Sequence, residues 1–179
     1  MHKSVLNKFT FISNFKKEEI LNIDKNVGII FRNYETKYDK KKILELKQLC
    51  KIHNKKLYLA NDLKLSINLN LDGAYIPSFN KSLSMNKYSL RKDFLVLGSA
   101  HNVSEIKIKE KQGINIIFLS PLFKTKHYKK TLGIIKFNLL SQITNKKVIA
   151  LGGISKKNIK KLKITNASGF SGISYFKSR

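Results

Sequence analysis

Eight short apolar runs, separated by polar segments with helical spacing or by loops, are the feature that most limits what this chain can fold into. They are residues 8–13 (Lys-Phe-Thr-Phe-Ile-Ser), 27–32 (Val-Gly-Ile-Ile-Phe-Arg), 57–60, 73–76, 94–98, 114–119, 148–151 and 169–172. Each is strand-sized, and most are near-continuously apolar, as a strand buried on both faces requires. The intervening segments 16–22, 39–53, 63–70, 102–112, 134–143 and 156–163 read as helices, and 81–90 as a helix or a loop. In 39–53 the apolar positions Ile43, Leu46, Leu49 and Cys50 recur at helical spacing behind Asp39, which is placed to cap. In 102–112, Val103, Ile106 and Ile108 are followed by Gly113 as a stop. The longest loop is polar and lysine-rich, residues 120–131.

Strict alternation of buried strands with amphipathic helices implies a parallel sheet covered by helices. Eight units fit a closed (β/α)8 TIM barrel better than the runner-up, an open flavodoxin-like sheet. A length of 179 residues with 42% apolar content allows one sizeable core, so residues 1–179 are read as one domain. Only five residues follow Ser174, so the last helix must be missing or reduced.

Composition narrows the function classes. No run of 18 or more apolar residues is present and the N-terminus lacks an apolar signal core, which points to a cytoplasmic protein with no membrane partner. The single cysteine, Cys50, excludes an intramolecular disulfide and falls on the apolar face of its helix. The formal charge of +25 invites a nucleic-acid reading. That reading is set aside because the lysines are spread along the whole chain and no helix-turn-helix, aromatic ribonucleoprotein motif or zinc-ligand set accompanies them. A basic field also draws small phosphorylated substrates to an enzyme.

In a barrel of this kind the residues just after each strand converge on one face. These are Arg32, Asn61, Asp62, Ser99, His101, the 120–131 loop, Gly152, Gly153, Ile173 and Ser174. Residues 148–155 (Val-Ile-Ala-Leu-Gly-Gly-Ile-Ser) and 168–174 (Ser-Gly-Phe-Ser-Gly-Ile-Ser) both break from an apolar run into glycine and serine, and a lysine-rich helical segment follows the first. Glycine lets a backbone approach an anion, and helix-start amides point at it, so the pair reads as a phosphate site. Plain alternatives stand beside these readings: Arg32 pairing with Glu35 or Asp39, Asp62 as an N-cap only, His101 as a surface cap, and the lysines of 124–130 as a solvated face.

The 148–155 segment with its echo resembles the C-terminal signature of the thiamine-phosphate synthases and their thiazole tautomerase relatives. Leu97-Gly98-Ser99-Ala100-His101 is similar to that family's Gly-x-Ser-x-His turn. Ser120-Pro121-Leu122-Phe123-Lys124-Thr125, with Thr131-Leu132-Gly133, resembles its Gly-Pro-x-Phe-x-Thr-x-x-Lys loop. Residues 57–62 resemble the strand ending Asn-Asp, and Phe31-Arg32 the strand ending in a substrate-binding arginine. The resemblance implies the eight-stranded barrel and a magnesium-dependent enzyme joining a hydroxymethylpyrimidine diphosphate to a thiazole phosphate with loss of diphosphate. It further implies that Arg32, Asn61 and either Lys126 or Lys129 face the diphosphate, Asp62 the magnesium, and Ser99 and Thr125 the leaving group. His101 would be a substrate-binding position, and Gly152, Gly153, Ile173 and Ser174 would hold the thiazole phosphate. Three departures are visible. Of Gln-x-Arg-x-Lys in the second strand only Arg32 is kept. Tyr75-Ile76-Pro77-Ser78-Phe79-Asn80 replaces His-x-Gly-Gln-x-Asp, without the histidine or the second magnesium carboxylate. Tyr128 stands where the loop lysine is expected. The expected function is thiamine-phosphate synthesis, against a divergent relative that isomerises or only binds a phosphate ligand, and against a basic nucleic-acid-associated protein. A homodimer is expected from the apolar surface that a reduced last helix leaves uncovered.

Overall fold

The computed structural model describes residues 7–125 and 130–177. Within them β1 (Asn7–Ile12), β2 (Val27–Phe31), β3 (Leu57–Ala60), β4 (Gly73–Ile76), β5 (Leu95–Ala100), β6 (Ile116–Leu119), β7 (Lys147–Leu151) and β8 (Gly169–Ser171) pair in chain order and close into a barrel. Every pairing is parallel, and closure is made by Asn7 opposite Gly169 and Phe9 opposite Ser171. The open flavodoxin-like sheet is thereby excluded.

Outside the barrel lie α1 (Lys17–Leu21), α2 (Lys40–Ile52), α3 (Leu63–Asn68), α4 (Val103–Lys111), α5 (Gly133–Ser141) and α6 (Ile173–Lys177). In α2 the face Ile43, Leu46, Leu49 and Cys50 is buried, and the Asp39 carboxylate accepts the Lys41 amide at 2.9 Å, as its spacing predicts. Each such aliphatic side chain removed from water contributes about 1.5–3 kcal/mol. Gly113, at φ 69°, ends α4 in the left-handed conformation that favours glycine.

Alternate residues of each strand face inward, and the barrel is filled largely by rings. Phe9, Phe11, Tyr58, Tyr75 and Phe118 meet edge to face, with centroids 5.1 Å apart for Phe9–Phe118 and for Phe11–Tyr75. Outward residues form two further clusters, one joining β1, β2 and β3 to α1 and α2, the other joining β4 through β8 to α4 and α5. The last helix is the expected remnant. Phe176 of α6 packs against both outer clusters and stacks on Phe170 at 5.9 Å, so five residues cover the closing seam.

Two connections differ from the sequence reading. Between β4 and β5 only a 3-10 helix forms, Ser84–Lys87. After β7, the helix expected over 156–163 is a turn followed by the 3-10 helix Ile159–Ile164. The reason is local: Asn158 Oδ1 accepts the Ser155 amide at 2.9 Å while its Nδ2 donates to Gly153 O at 2.7 Å, side-chain bonds that compete with starting an α-helix.

Candidate active site

Because all eight strands run parallel, their C-terminal ends share one rim, and a cavity of about 190 Å³ opens there between the ends of β1 and β2 and the start of α6. Its lining includes Phe11, Ser13, Asn14, Lys16, Arg32 and Ile173, together with the Glu19 carboxylate. Arg32 follows β2 directly, with its amide bound to Ile12 O at 2.8 Å. Its guanidinium carbon lies 5.0 Å from the Phe11 ring centroid and 6.0 Å from that of Tyr34. No ion pair joins Arg32 to Glu35 or Asp39 among the described residues. Its charge therefore lies against ring faces, with no ion pair to either of these carboxylates. Tyr38 stands alongside, donating its hydroxyl to Ala60 O at 2.7 Å. Burial raises its phenol above the ordinary value, the Asn33 amide opposes that, and Asp62 and Arg32 then act with opposite signs, which places both charges near this one ring.

The loops after β3 to β6 are tied to one another by side chains. Asn61, at φ 61°, accepts from Asn80 Nδ2 at 2.7 Å. Asp62 Oδ1 accepts the Leu65 amide at 2.9 Å, so this carboxylate caps α3, the plain role allowed for it. His101 Nδ1 lies 2.7 Å from Ser120 O and its Nε2 3.1 Å from Ser78 Oγ. A carbonyl only accepts, so Nδ1 carries a proton, and in the neutral ring Nε2 accepts from the serine. His101 is half-buried and pins three loops, unlike a surface cap residue. Ser99 is buried on the inward face of β5.

Gly152 and Gly153 take φ of 96° and 69°, where side-chain-bearing residues are strained. A Cβ on Gly152 would lie 2.8 Å from Pro121 Cα, and one on Gly153 2.6 Å from Phe123 O. The sequence reading had an anion approaching these glycines; what approaches their Cβ positions is the loop after β6, held by Leu122 N to Leu151 O at 2.8 Å and Phe123 N to Gly152 O at 3.0 Å. Thr125 follows in that loop, half-buried. Lys126, Lys129 and Tyr128 lie outside the described residues. Ile173 and Ser174 open α6, and the preceding Gly172 amide donates to Phe9 O at 3.3 Å.

A barrel rim that gathers Arg32, an Asn-Asp pair, a Ser-x-His turn and a glycine turn is matched by one family profile, described as thiamine monophosphate synthase, over residues 18–176. The chain belongs to that family. It is 31% identical over 134 residues to the putative thiamine-phosphate synthase 2 of Aquifex aeolicus, covering 74% of this chain and 72% of that one. It is 32% identical over 122 residues to a thiamine-phosphate synthase of Prochlorococcus marinus, covering 66% of this chain and 35% of that one. The chain thus spans about a third of the length of that longer relative. A thiamine phosphate pyrophosphorylase from Pyrococcus furiosus shares the fold with a TM-score of 0.73 at 16% identity, over 94% of this chain and 86% of that one.

Within the barrel the predicted residues fall into groups. Arg32 and Ile173 share the cavity, Asn61 joins the loop after β4, His101 joins those after β4 and β6, and Gly152 and Gly153 pack on the latter. Asp62 and Gly153 do not line the Arg32 cavity. Among the described residues no group of three carboxylate, imidazole or thiol side chains could hold a metal ion, and Asp62, the carboxylate expected to meet magnesium, uses Oδ1 to cap α3. Cys50 is excluded as a nucleophile, since burial pushes its thiol up to about 12. The cavity also exposes what the sequence reading passed over: Ser13, Asn14 and Lys16, which follow β1 and would have been found by applying the rule of residues after each strand to the first strand. Asn80, which stands where the second magnesium carboxylate was expected, and Ser78 both hold neighbouring loops.

Proposed function

We propose that this chain condenses hydroxymethylpyrimidine diphosphate with thiazole phosphate, giving thiamine phosphate and diphosphate. The observation that carries the reading is Arg32, an arginine without a carboxylate partner among the described residues, at the barrel mouth of a chain in this family. In the reaction the bond from the pyrimidine methylene to the diphosphate oxygen breaks with its electron pair leaving on diphosphate, and the cation-like methylene is captured by the thiazole ring nitrogen. Lowering that barrier requires preorganised positive charge and hydrogen-bond donors at the leaving oxygens. Arg32 supplies fixed charge, its orientation held by Phe11 and Tyr34. Lys16, on the same cavity, adds a second cation, and Asn61 an amide. Thr125 and Ser99 are the hydroxyls assigned to the leaving group, Lys126 or Lys129 the loop cation. Gly152, Gly153, Ile173 and Ser174 are assigned to the thiazole phosphate, and His101 to holding the substrate loops. Magnesium, when bound, would neutralise diphosphate charge, with Asp62 the residue that would hold it and substrate oxygens and water filling most positions.

The test is release of diphosphate from the two substrates with magnesium; no product alongside intact thiazole phosphate binding overturns synthesis. That outcome favours a second reading, a divergent relative that isomerises or binds the thiazole phosphate, for which Asn80 in place of the second carboxylate speaks. The same proposal includes action in the cytoplasm. Among the described residues no helix is long and apolar enough to cross a membrane. It also includes a homodimer covering Ile135, which is 79% exposed, with Leu139 and Ile164. A purely monomeric species in sedimentation velocity removes the dimer.

A further inference from the structure

Between β4 and β5 the barrel lacks an α-helix, and residues 77–82 cross it as an irregular segment whose backbone carbonyls need donors. The donors come from α4 and its C-cap. Lys109 has no exposed surface, and its Nζ donates to Pro77 O at 2.9 Å, Asn80 O at 2.8 Å and Gln112 Oε1 at 2.8 Å. Gln112, also buried, donates Nε2 to Asn80 O at 3.0 Å and Ser82 O at 2.8 Å. A Cβ on Gly98 would lie 3.1 Å from Lys109 Cδ, so the glycine keeps the path of the lysine stem open. Three acceptors match the three N–H bonds of an ammonium, and no ion pair to it exists among the described residues. Packing alone would be met by a methionine without the desolvation a buried lysine requires. The segment so held is the one whose side chains reach the rim: Ser78 Oγ to His101 Nε2 at 3.1 Å and Asn80 Nδ2 to Asn61 Oδ1 at 2.7 Å.

We propose that Lys109, with Gln112, is a positioning residue that fixes the 77–82 backbone and, through Ser78 and Asn80, orients His101 and Asn61 at the barrel mouth. Its effect on turnover rests on the synthase reading; its effect on His101 does not.

The experiment uses the full chain, wild type and Lys109→Met, and reads the His101 ring nitrogen resonances, assigned by their loss in His101→Asn, together with hydrogen exchange at the Asn80 and Ser82 amides. Loss of the latch is expected to shift the His101 signals and speed exchange at those amides about tenfold, the equivalent of one or two hydrogen bonds. KM should rise more than kcat falls. His101 signals and amide exchange at wild-type values overturn the proposal, whatever happens to the melting temperature. If Lys109→Met does not fold, Gln112→Leu removes the second arm and is judged by the same two readouts. A wild type that makes no thiamine phosphate defeats the synthase reading alone, because the resonance and exchange measurements do not need turnover.

Discussion

Asp62 caps α3 and is proposed to hold magnesium, and one pair of substitutions separates the two. Its carboxylate caps α3, and asparagine caps as well as aspartate does. Asp62→Asn should therefore leave stability within about 0.5 kcal/mol, while Asp62→Ala loses about 1 kcal/mol. If Asp62 also serves magnesium, Asp62→Asn lowers diphosphate release at limiting magnesium; equal activity of wild type and Asp62→Asn across a magnesium titration removes the metal role. Lys109 makes a second prediction at this scale. Burial, opposed by Glu105, brings its ammonium down to about 8 from an ordinary value of 10.5. Between those values the unfolded chain holds a proton that the native one lacks, so this contribution is present above pH 10.5 and is lost as pH falls through 8. Urea unfolding should show wild type gaining stability relative to Lys109→Met between pH 7.5 and 10.5, by about 3 kcal/mol at most. A constant difference between the two across that range refutes the assignment.

At the scale of elements, the turn after β7 and the loop after β6 act as one unit. Gly153 combines a φ of 69° with Phe123 O at 2.6 Å from where a Cβ would stand, whereas Gly133, at φ 63°, has open space around that position. Alanine at either site is strained by about 1 kcal/mol from the backbone alone. Gly153→Ala must in addition displace the loop after β6, so it should cost about 2 kcal/mol more than Gly133→Ala in chemical denaturation. Equal costs at the two positions show that the loop does not press on the turn. This sharpens what a substitution at Gly153 can report: lost phosphate binding would follow from a shifted loop as readily as from a blocked anion.

For the whole molecule the governing quantity is the charge of +25, carried by 36 basic against 11 acidic residues. Substrates bearing phosphate and diphosphate are attracted over roughly one Debye length, about 10 Å at 0.1 M salt. Raising ionic strength should lower kcat/KM chiefly through association, with kcat nearly unchanged. The competing nucleic-acid role predicts tight, steeply salt-dependent binding of random duplex DNA at physiological ionic strength. Binding weaker than about 100 µM there, outside the range of even non-specific DNA binding, excludes it.

The fold was legible because strands buried on both faces must be apolar throughout and cannot hide that in a sequence. Eight such runs, alternating with polar helical segments or loops, leave a closed parallel barrel as the economical arrangement. The capping role of Asp39, the stop at Gly113 and the buried place of Cys50 were equally readable, since each depends on neighbours within one helix. What depended on chain segments far apart was not. Nothing local says that the Cβ space of Gly152 and Gly153 is taken by Pro121 and Phe123, that Arg32 lies over Phe11, or that His101 bridges Ser78 and Ser120. Lys109 is the clearest case: in a chain this rich in lysine it reads as one more solvated charge. Only closing the barrel without a helix between β4 and β5 creates the unpaired carbonyls that draw it inward.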